Sequence, residues 1–400
     1  MSPRPARGQR PVRVLVVNQT AATSGAEHSL LTLLGALDAS DVEVTVASPE
    51  GPLSERVAEL GLPHVPIHGT DASFRLSPRT TPPELTRLAR SSWQVARAAR
   101  RIDADVVHAN TTRAGLIAIG AGKLGAPAPL VHVRDWAPPG RAADVVLGTI
   151  ARNASGIIAN SRHVAEQFGR LTDPPRGRRA PRVIHNPVDL TRFSPERHVP
   201  GLRRTELGLP MGVPIAGVVG QLTPWKAQDD AIRALAATDG LRDAHLVVAG
   251  SAKFATAAAR FDNQAYADGL PALAAELGVA DRVHLLGEVA DVPSVLAALD
   301  VLLVPSWEEA FGRVVVEGMA MGLPVIATSN GGPPEIIKDA RTGYVRAPQD
   351  PQGWGELLAA LLRDDDKRAR IGSAALEAVQ AYAPANHAAA VLAVYRDLAD

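Results

Sequence analysis

Two glutamates in the second half of the sequence flank a glycine and an arginine. Residues 305–317 read Pro-Ser-Trp-Glu-Glu-Ala-Phe-Gly-Arg-Val-Val-Val-Glu, directly after the apolar run 301–304. If that run is a strand, Glu309 lies in the following loop and Glu317 lies more than one turn inside the next helix. Ligands of open parallel sheets bind at the carboxyl ends of the strands. Both carboxylates are therefore candidates for ligand contact.

The backbone between these glutamates is suited to an anion. The N–H groups around Phe311, Gly312 and Arg313 open a helix N-terminus, which has unpaired donors and a partial positive charge. Gly312 has no side chain, so a phosphate can approach the backbone closely there. Glu317 can accept two hydrogen bonds from the vicinal diol of a ribose, as the acidic residue of dinucleotide-binding folds does.

Two further loops occupy the same kind of position after a strand. Residues 218–228 read Val-Val-Gly-Gln-Leu-Thr-Pro-Trp-Lys-Ala-Gln. Lys226 in this loop is placed to neutralise a diphosphate. Residues 330–335, Asn-Gly-Gly-Pro-Pro-Glu, form the third loop and are rich in glycine. Three such loops in one domain predict a pocket for a nucleoside diphosphate.

Short apolar runs alternate with Ala/Leu-rich stretches of helical period along the chain, which predicts βαβ units and parallel sheets. Each run is continuous, as expected for a strand that helices cover on both faces. The first helix is predicted near 26–37 and the last near 385–399. Strands are predicted near 12–17, 42–47, 105–108, 130–133 and 156–159, and in a second series near 215–220, 245–249, 283–286, 301–304 and 324–327.

The length and composition predict two domains. The chain has 400 residues, of which 46% are hydrophobic and 21% are charged, so it has enough apolar side chains for two cores. A segment rich in Pro, Arg and Asp over 173–200 separates the two strand series and is interpreted as the linker. We predict a first domain over 1–185, a second over 186–384, and a last helix over 385–400 that crosses back to the first domain.

The composition also excludes several classes of protein and site. The chain has no cysteine, which excludes disulfides, thiolate metal sites and a catalytic thiol. Basic and acidic residues number 42 each, so nothing indicates a dedicated nucleic-acid binder. The histidines lack metal-ligand spacing, and Asp103-Ala104-Asp105 is interpreted as a helix-to-strand turn, so no metal site is predicted.

Neither a membrane span nor a secretory signal is predicted. The apolar runs are shorter than the roughly 18 residues that cross a bilayer, and the N-terminus lacks the apolar core of a signal peptide. We expect a cytoplasmic protein or one that is peripheral at the inner face of the cell membrane.

Charge is divided unevenly between the two halves. Residues 1–194 contain 24 basic and 16 acidic side chains, a net charge of +8, and the remainder contains 18 and 26, a net charge of −8. In the predicted helix over 84–101, four apolar side chains lie largely opposite an arginine face. The apolar residues are Leu85, Leu88, Val95 and Ile102, and the arginines are Arg87, Arg90, Arg97 and Arg101. This is either an ordinary surface helix or a docking site for anionic lipid headgroups.

Together the motifs resemble the retaining GT-B glycosyltransferases of family 4, also called glycosyl transferases group 1. The resemblance covers about residues 12–395. The Glu-x7-Glu motif of the donor domain matches Glu309 and Glu317, its basic loop matches Gln221 to Lys226, and its Gly-Gly-x-x-Glu loop matches Gly331, Gly332 and Glu335. In the acceptor domain, the Gly-Gly-x-Glu loop matches Ser24-Gly25-Ala26-Glu27. Three further segments are typical of the family: His108-Ala109-Asn110, Ala159-Asn160-Ser161 and Asn186-Pro187-Val188-Asp189.

The resemblance implies a GT-B architecture, with two Rossmann-like parallel-sheet domains facing a central cleft. It implies a metal-independent enzyme, without a cofactor, that moves a hexosyl-type sugar from a nucleotide-diphosphate sugar to an acceptor hydroxyl with retention of configuration. Glu317 is then expected to bind the ribose, Lys226 the diphosphate and Glu309 the donor sugar. Gly25 is expected to close on the diphosphate from the other domain. The acceptor is expected to be a sugar, a lipid-linked sugar or a small molecule, in a bacterial setting.

The sequence departs from the family pattern at three places. Gln221 stands where many members have arginine, and Ser24 replaces the first glycine of its loop. Arg134 and Asp135 replace a His-Asp pair, with His132 two residues earlier. Arg134 and His132 are therefore both candidates for the catalytic position, and Arg134 could supply the charge missing at Gln221. Asp135 stays open as the base of an inverting reaction. The alternative function is a non-catalytic bilobed protein that binds a nucleotide sugar as a sensor or partner subunit.

Overall fold

A computed structural model describes residues 10–70, 81–171, 180–252 and 261–400. The chain forms two compact units, one of residues 1–187 together with 384–400 and the other of residues 188–383. The boundary between the first segment of the first unit and the second unit thus lies at 187/188. The sequence predicted this boundary at 185/186. Part of the predicted linker, residues 173–179, lies outside the described residues. Among those that are described, no helix has both the length and the apolar character needed to cross a bilayer.

The first unit is built on a seven-stranded parallel sheet. Its strands are β1 (Val12–Val17), β2 (Val42–Ser48), β3 (His64–Pro66), β4 (Val106–Ala109), β5 (Leu130–Val133), β6 (Gly156–Ala159) and β7 (Arg182–Val183). The helices between them are α1 (Gly25–Ala36), α2 (Pro52–Glu59), α3 (Thr81–Arg101), α4 (Thr112–Lys123), α5 (Arg141–Asn153) and α6 (Arg162–Glu166). The strand order is β3-β2-β1-β4-β5-β6-β7. The winding therefore reverses between β1 and β4, where such sheets bind ligands.

The second unit repeats this plan with six parallel strands. Its strands are β8 (Ile215–Val219), β9 (His245–Ala249), β10 (Val283–Gly287), β11 (Val301–Val304), β12 (Val325–Thr328) and β13 (Tyr344–Arg346). Its helices are α7 (Pro200–Glu206), α8 (Gln228–Ala237), α9 (Asn263–Glu276), α10 (Val292–Ala297), α11 (Arg313–Ala320), α12 (Pro333–Ile336), α13 (Pro351–Leu362) and α14 (Asp365–Ala378). The order is β10-β9-β8-β11-β12-β13, so the winding reverses between β8 and β11.

The last helix, α15 (Pro384–Ala399), belongs to the core of the first unit. Its side chains Ala388, Val391, Val394 and Tyr395 are at most 4% exposed, and they pack in one apolar cluster with residues of β1, β2 and α1. Burying a side chain such as valine stabilises a fold by about 1.5–3 kcal/mol. The first unit therefore depends on the far end of the chain.

The ten predicted strands are confirmed, each to within one residue. The prediction missed β3, β7 and β13, which have three, two and three residues and lie at the edges of the two sheets. An edge strand has a neighbour on one side only and is often short. It therefore leaves no continuous apolar run in the sequence.

Candidate functional site

Lys226 and Glu309 meet where the winding of the second sheet reverses. Lys226 ends a short 3₁₀ turn in the loop after β8, and Glu309 lies in the loop after β11, the neighbouring strand. Nζ of Lys226 forms an ion pair with Oε2 of Glu309, and Oγ of Ser306 donates to the same oxygen at 3.0 Å. Glu309 is only 8% exposed. Because the pair is largely shielded from water, the interaction between its charges is stronger than at an open surface.

The loop after β12 is bound to Glu309 through its backbone. The N–H of Glu309 donates to the carbonyl of Asn330 at 3.1 Å, and the N–H of Gly332 donates to the carbonyl of Glu309 at 2.8 Å. Gly331 has a φ of +102°, and a Cβ there would lie 2.0 Å from the Glu309 oxygen. Only glycine fits this position, both for its backbone angle and for the close approach. The Gly-Gly loop is thus fixed against Glu309.

The loop after β8 joins the same assembly. The N–H of Trp307 donates to the carbonyl of Trp225 at 2.9 Å, so the three predicted loops are in contact with one another. Ala227 has a φ of +54°, a left-handed conformation that costs a non-glycine residue about 1–2 kcal/mol. It turns the chain from the 3₁₀ turn into α8. Gln221 opens the loop, and its carbonyl accepts a hydrogen bond from Nε2 of Gln228 at 2.8 Å.

The segment that leads into α11 places its residues in different surroundings. Phe311 is 2% exposed and its ring packs in the core near Tyr382, so its aromatic side chain is not available to a ligand. Gly312, with a φ of +94°, directly precedes α11. Arg313 is the first residue of that helix, and its Nη2 donates to Oε1 of Glu317 at 2.7 Å. The Glu317 carboxylate is therefore already paired with a cation of its own helix.

A chain of buried polar side chains runs along the carboxyl edge of the first sheet. Glu27 is 1% exposed and accepts hydrogen bonds from Oγ of Ser24 at 2.6 Å and from Nδ2 of Asn18 at 3.1 Å. Nδ2 of Asn110, directly after β4, donates to Oδ1 of Asn18, directly after β1, at 3.0 Å. Gly25 is the first residue of α1. Ser24, which replaces a family glycine, is thus held by the glutamate of the same motif.

Arg134 continues this chain across β5. Its Nε donates to the carbonyl and to Oδ1 of Asn110, both at 3.1 Å. Its Nη1 donates to Oδ1 of Asn186. Its Nη2 lies 3.2 Å from Nδ1 of His132. Nδ2 of Asn160 donates to the Arg134 carbonyl at 2.9 Å. Arg134 is 4% exposed. It therefore ties together the loops after β4, β5 and β6 and the segment after β7.

His132 lies in a buried stack of histidines. Its ring is 0% exposed, with its centroid 5.6 Å from that of His108 and 6.1 Å from that of His387. Burial and, after it, the charge of Arg134 lower the pKa of all three rings, to about 3 for His108 and for His387. All three are neutral at pH 7. A ring without exposed surface cannot touch a substrate in this conformation, so its placement does not support a catalytic contact by His132.

Sequence reasoning missed Ser306 and the roles of the asparagines. Asn18, Asn110 and Asn160 each directly follow the last residue of a strand. The signal was therefore an amide side chain at repeated strand ends, where buried backbone and side-chain groups need hydrogen-bond partners. The motifs containing Asn110 and Asn160 were identified as typical of the family, but without a role.

The turn at Asp103–Asp105 is confirmed as structural. The Asp105 carboxylate accepts two hydrogen bonds from the Arg10 guanidinium, at 2.6 and 2.9 Å, and one from the N–H of Arg13 at 2.9 Å. Within the four described ranges, no three His, Cys, Asp or Glu side chains are grouped so as to hold a metal ion.

Comparison with known proteins decides the family. A model described as "Glycosyl transferases group 1" matches residues 202–378, and one described as "Glycosyltransferase Family 4" matches residues 23–192. The D-inositol 3-phosphate glycosyltransferase of Streptomyces scabiei is 32% identical over 311 residues, which cover 73% of this chain and 67% of that protein. The chain belongs to the glycosyl transferases group 1.

Solved structures resemble this group 1 chain over almost its whole length. HepE of Anabaena, solved in complex with UDP-glucose, is 25% identical with a TM-score of 0.79, covering 96% of this chain and 98% of HepE. A glycosyltransferase of Rickettsia africae is 19% identical with a TM-score of 0.80, covering 97% and 98%. The predicted GT-B fold, with two Rossmann-like parallel-sheet units, is confirmed.

The curated relatives extend beyond the matched region. The D-inositol 3-phosphate glycosyltransferase of Mycolicibacterium vanbaalenii is 35% identical over 254 residues, which are 62% of this chain and 54% of that protein. The chain thus spans about half the length of the first curated relatives that it matches.

Proposed function

We propose that this chain transfers a sugar from a nucleotide-diphosphate sugar to an acceptor hydroxyl. One observation carries the proposal: the loops after β8, β11 and β12 are bound together at the reversal of the sheet, with Lys226 and Glu309 in contact there. An open parallel sheet binds its ligand at this position. A cation and a helix N-terminus can bind a diphosphate. Carboxylates can accept hydrogen bonds from the hydroxyls of a sugar and of a ribose.

The chemistry requires positive charge where the leaving diphosphate becomes more negative. Lys226 and the N-terminal N–H groups of α11 supply it. We assign Glu309 to the donor sugar and Glu317 to the ribose. Because these groups supply the electrostatic stabilisation themselves, we propose metal-independent transfer. We further propose retention of anomeric configuration, by attack of the acceptor on the face that the leaving group vacates. The role of Gly25 stays a prediction.

A uridine nucleotide carrying a hexose is the first donor to test, because HepE was solved with UDP-glucose. For the acceptor, the curated relatives are named for D-inositol 3-phosphate. A small phosphorylated polyol of that kind fits the net charge of +8 over residues 1–194, obtained from 24 basic and 16 acidic side chains. A free sugar and a lipid-linked sugar are the other acceptor classes that we propose.

Helix α3 supports a membrane-interface acceptor. Arg87, Arg90, Arg97 and Arg101 are exposed on it. Trp93 lies on the same side, 53% exposed, with the Arg97 guanidinium 5.6 Å from its ring centroid. Leu85, predicted to lie largely opposite the arginines, is 59% exposed. An exposed tryptophan beside arginines suits the boundary between headgroups and acyl chains of an anionic membrane.

A non-catalytic role as a sensor or partner subunit is the second candidate. It is favoured by Gln221, which leaves Lys226 without the second basic residue of the family loop, and by Ser24, which is held by Glu27. Such a protein would bind the nucleotide sugar without turning it over.

A thermal-shift screen with UDP, GDP, ADP and dTDP, and with UDP-glucose, tests the donor site. A nucleotide at 100 times its Kd stabilises the native state by about 2.7 kcal/mol. Incubation of the preferred nucleotide sugar with candidate acceptors, in excess EDTA, then separates enzyme from sensor. If neither the four nucleotides nor UDP-glucose raises the melting temperature, the proposed function is wrong. If one binds but its sugar is neither transferred nor hydrolysed, the sensor is favoured.

A further inference from the structure

In the free protein the Lys226 ammonium already has an anionic partner. It is paired with Oε2 of Glu309 and lies 5.2 Å from the ring centroid of Trp225. The side chains of Lys226 and Glu309 are 21% and 11% exposed. The pair is therefore largely desolvated before any ligand arrives.

Ser306 fixes the geometry of this pair. Its hydroxyl, on a residue that is 1% exposed, donates at 3.0 Å to the carboxylate oxygen that Lys226 contacts. The Glu309 backbone is held at both its N–H and its carbonyl by the loop after β12. Because the backbone and one side-chain oxygen are fixed, Glu309 cannot follow the ammonium if Lys226 turns to another anion.

Breaking the pair is costly unless Glu309 finds a new partner. A partly buried carboxylate that loses its cation keeps the desolvation penalty and loses the compensating attraction. Here it would retain the Ser306 hydroxyl and would stand close to an incoming diphosphate of the same charge sign.

Two kinds of ligand differ in whether they compensate for the loss of the Lys226–Glu309 ion pair. A nucleoside diphosphate draws Lys226 to its phosphates and offers Glu309 nothing in exchange. A nucleotide-diphosphate sugar places hydroxyl donors next to Glu309 at the same time, so the carboxylate exchanges one set of donors for another. The sugar therefore compensates for the loss of the ion pair.

We propose that the Lys226–Glu309 ion pair determines which nucleotide binds. The pair breaks readily when the nucleotide carries a sugar, and it disfavours binding of a nucleotide that has lost its sugar. The inference rests on the proposed function. It gives Glu309 a second role, because the carboxylate that is released for the sugar competes with the diphosphate for Lys226 once the sugar has been transferred. Re-formation of the pair then favours release of the nucleoside diphosphate. Ser306 acts as a positioning residue in this exchange.

The test compares Glu309→Gln with Glu308→Gln, which removes one charge from the adjacent residue. Each variant and the wild type are titrated calorimetrically with UDP, GDP, ADP and dTDP, and with UDP-glucose. We expect Glu309→Gln to bind the preferred nucleoside diphosphate about tenfold more tightly than wild type, because Lys226 is released without a competing carboxylate. The affinity for UDP-glucose should not rise by the same factor, and Glu308→Gln should leave both affinities within about twofold of wild type.

A double-mutant comparison separates ion-pair exchange from simple charge repulsion. In a Lys226→Met background there is no pair to break, so Glu309→Gln should tighten nucleoside-diphosphate binding by no more than about threefold. An equal gain in both backgrounds overturns the proposal, and so does an equal gain in Glu308→Gln. Unchanged or weaker binding by Glu309→Gln overturns it as well.

Melting curves of every variant accompany the titrations. If Glu309→Gln does not fold, Glu309→Asp, which withdraws the carboxylate from Lys226 by one methylene, carries the same comparison. If the wild type binds none of the nucleotides, the donor site itself is wrong and the inference fails with it. If the wild type binds and Glu309→Gln shows no gain, the inference alone fails.

Discussion

Nδ1 of His108 and the hydroxyl of Tyr395 lie 2.6 Å apart and share a buried hydrogen bond between β4 and α15. Both residues are 0% exposed. The bond joins residues separated by 287 positions in sequence. Together with the stacked rings of His132 and His387, it attaches the last helix to the first sheet through neutral imidazoles.

The stability of the protein should therefore fall as the pH is lowered below neutral. Burial lowers the pKa of His108 and of His387 to about 3, whereas in the unfolded chain each imidazole has a pKa near 6.5. Below that value the unfolded state binds protons that the folded state does not. Each of the two rings should thus cost about 2 kcal/mol of unfolding free energy between pH 7 and pH 5. Urea unfolding at the two pH values measures the sum, to which His132 contributes in the same direction because burial lowers its pKa as well.

His387→Gln is the control for this pH dependence. It removes one titrating ring, so its loss of stability between pH 7 and pH 5 should be smaller than that of wild type by about 2 kcal/mol. An identical loss in the variant and the wild type would show that other groups cause the effect.

Glu317→Ala should weaken nucleotide binding more than it weakens the fold. Losing charge-assisted hydrogen bonds to a ribose costs about 1.5–3 kcal/mol, or one to two decades in Kd. The melting temperature should fall slightly, because Arg313 loses its 2.7 Å ion pair. Arg313→Ala removes the same pair while keeping the carboxylate, so it serves as the control for stability. Wild-type affinity in Glu317→Ala would refute the assignment of Glu317 to the ribose.

Lys226→Ala should lower turnover more than ground-state affinity. The ammonium is satisfied by Glu309 in the free protein, whereas in the transition state it faces a diphosphate that gains charge. We expect kcat to fall by about 10²-fold, with KM for the nucleotide sugar changing by much less. Lys338→Ala, an exposed lysine of the same unit, should change neither. An increase in KM without a change in kcat would show that Lys226 contributes uniform binding only.

Gly332→Ala should separate the loops that form the candidate donor site. Gly332 has an ordinary φ of −73°, so the effect is steric. An added Cβ would lie 2.6 Å from Cα of Phe311 and 2.8 Å from the carbonyl oxygen of Ala310. We expect a loss of at least about 2 kcal/mol in stability, since overpacking against backbone cannot relax easily, and loss of nucleotide binding.

Gly269→Ala makes the same substitution where nothing lies within 4 Å of the added Cβ. It lies inside α9, so it should stabilise the protein by up to about 1 kcal/mol and leave nucleotide binding unchanged. Similar melting temperatures for Gly332→Ala and wild type would contradict the loop packing described above.

Replacing Arg87, Arg90 and Arg97 together with alanine should reduce cosedimentation with acidic liposomes. Each basic residue near an anionic surface contributes about 1 kcal/mol, and the wild-type protein should be released at high salt. Trp93→Ala should weaken binding without removing its salt dependence. A matched triple variant in the second unit, Arg192, Arg242 and Arg341 to alanine, should bind like wild type, since these arginines are exposed but not on α3. Equal recovery with neutral and acidic vesicles would rule out the hypothesis that α3 binds an anionic membrane.

The sequence could predict the central strands and the loops that follow them, because strands buried on both faces leave continuous apolar runs. It could not predict that Lys226 pairs with Glu309. That contact joins residues 83 positions apart and depends on β8 and β11 being neighbours in the sheet, which strand order decides and local periodicity does not.

His132 was harder to interpret for a related reason. Its place at a strand end suggested contact with substrate. The ring is instead buried with His108 and with His387 of α15, and no pattern near position 132 indicates that a helix from the end of the chain covers it.

The return of α15 to the first unit has a consequence for synthesis. Residues 188–383 form a continuous segment that contains all of the second unit, whereas the first unit is complete only with residues 384–400. Domains fold as units while the chain emerges from the ribosome. The first unit must therefore wait, with the surface that α15 later covers still open, until the whole second unit has been made. Of the two units, the one whose synthesis begins earlier is therefore the one that is completed later.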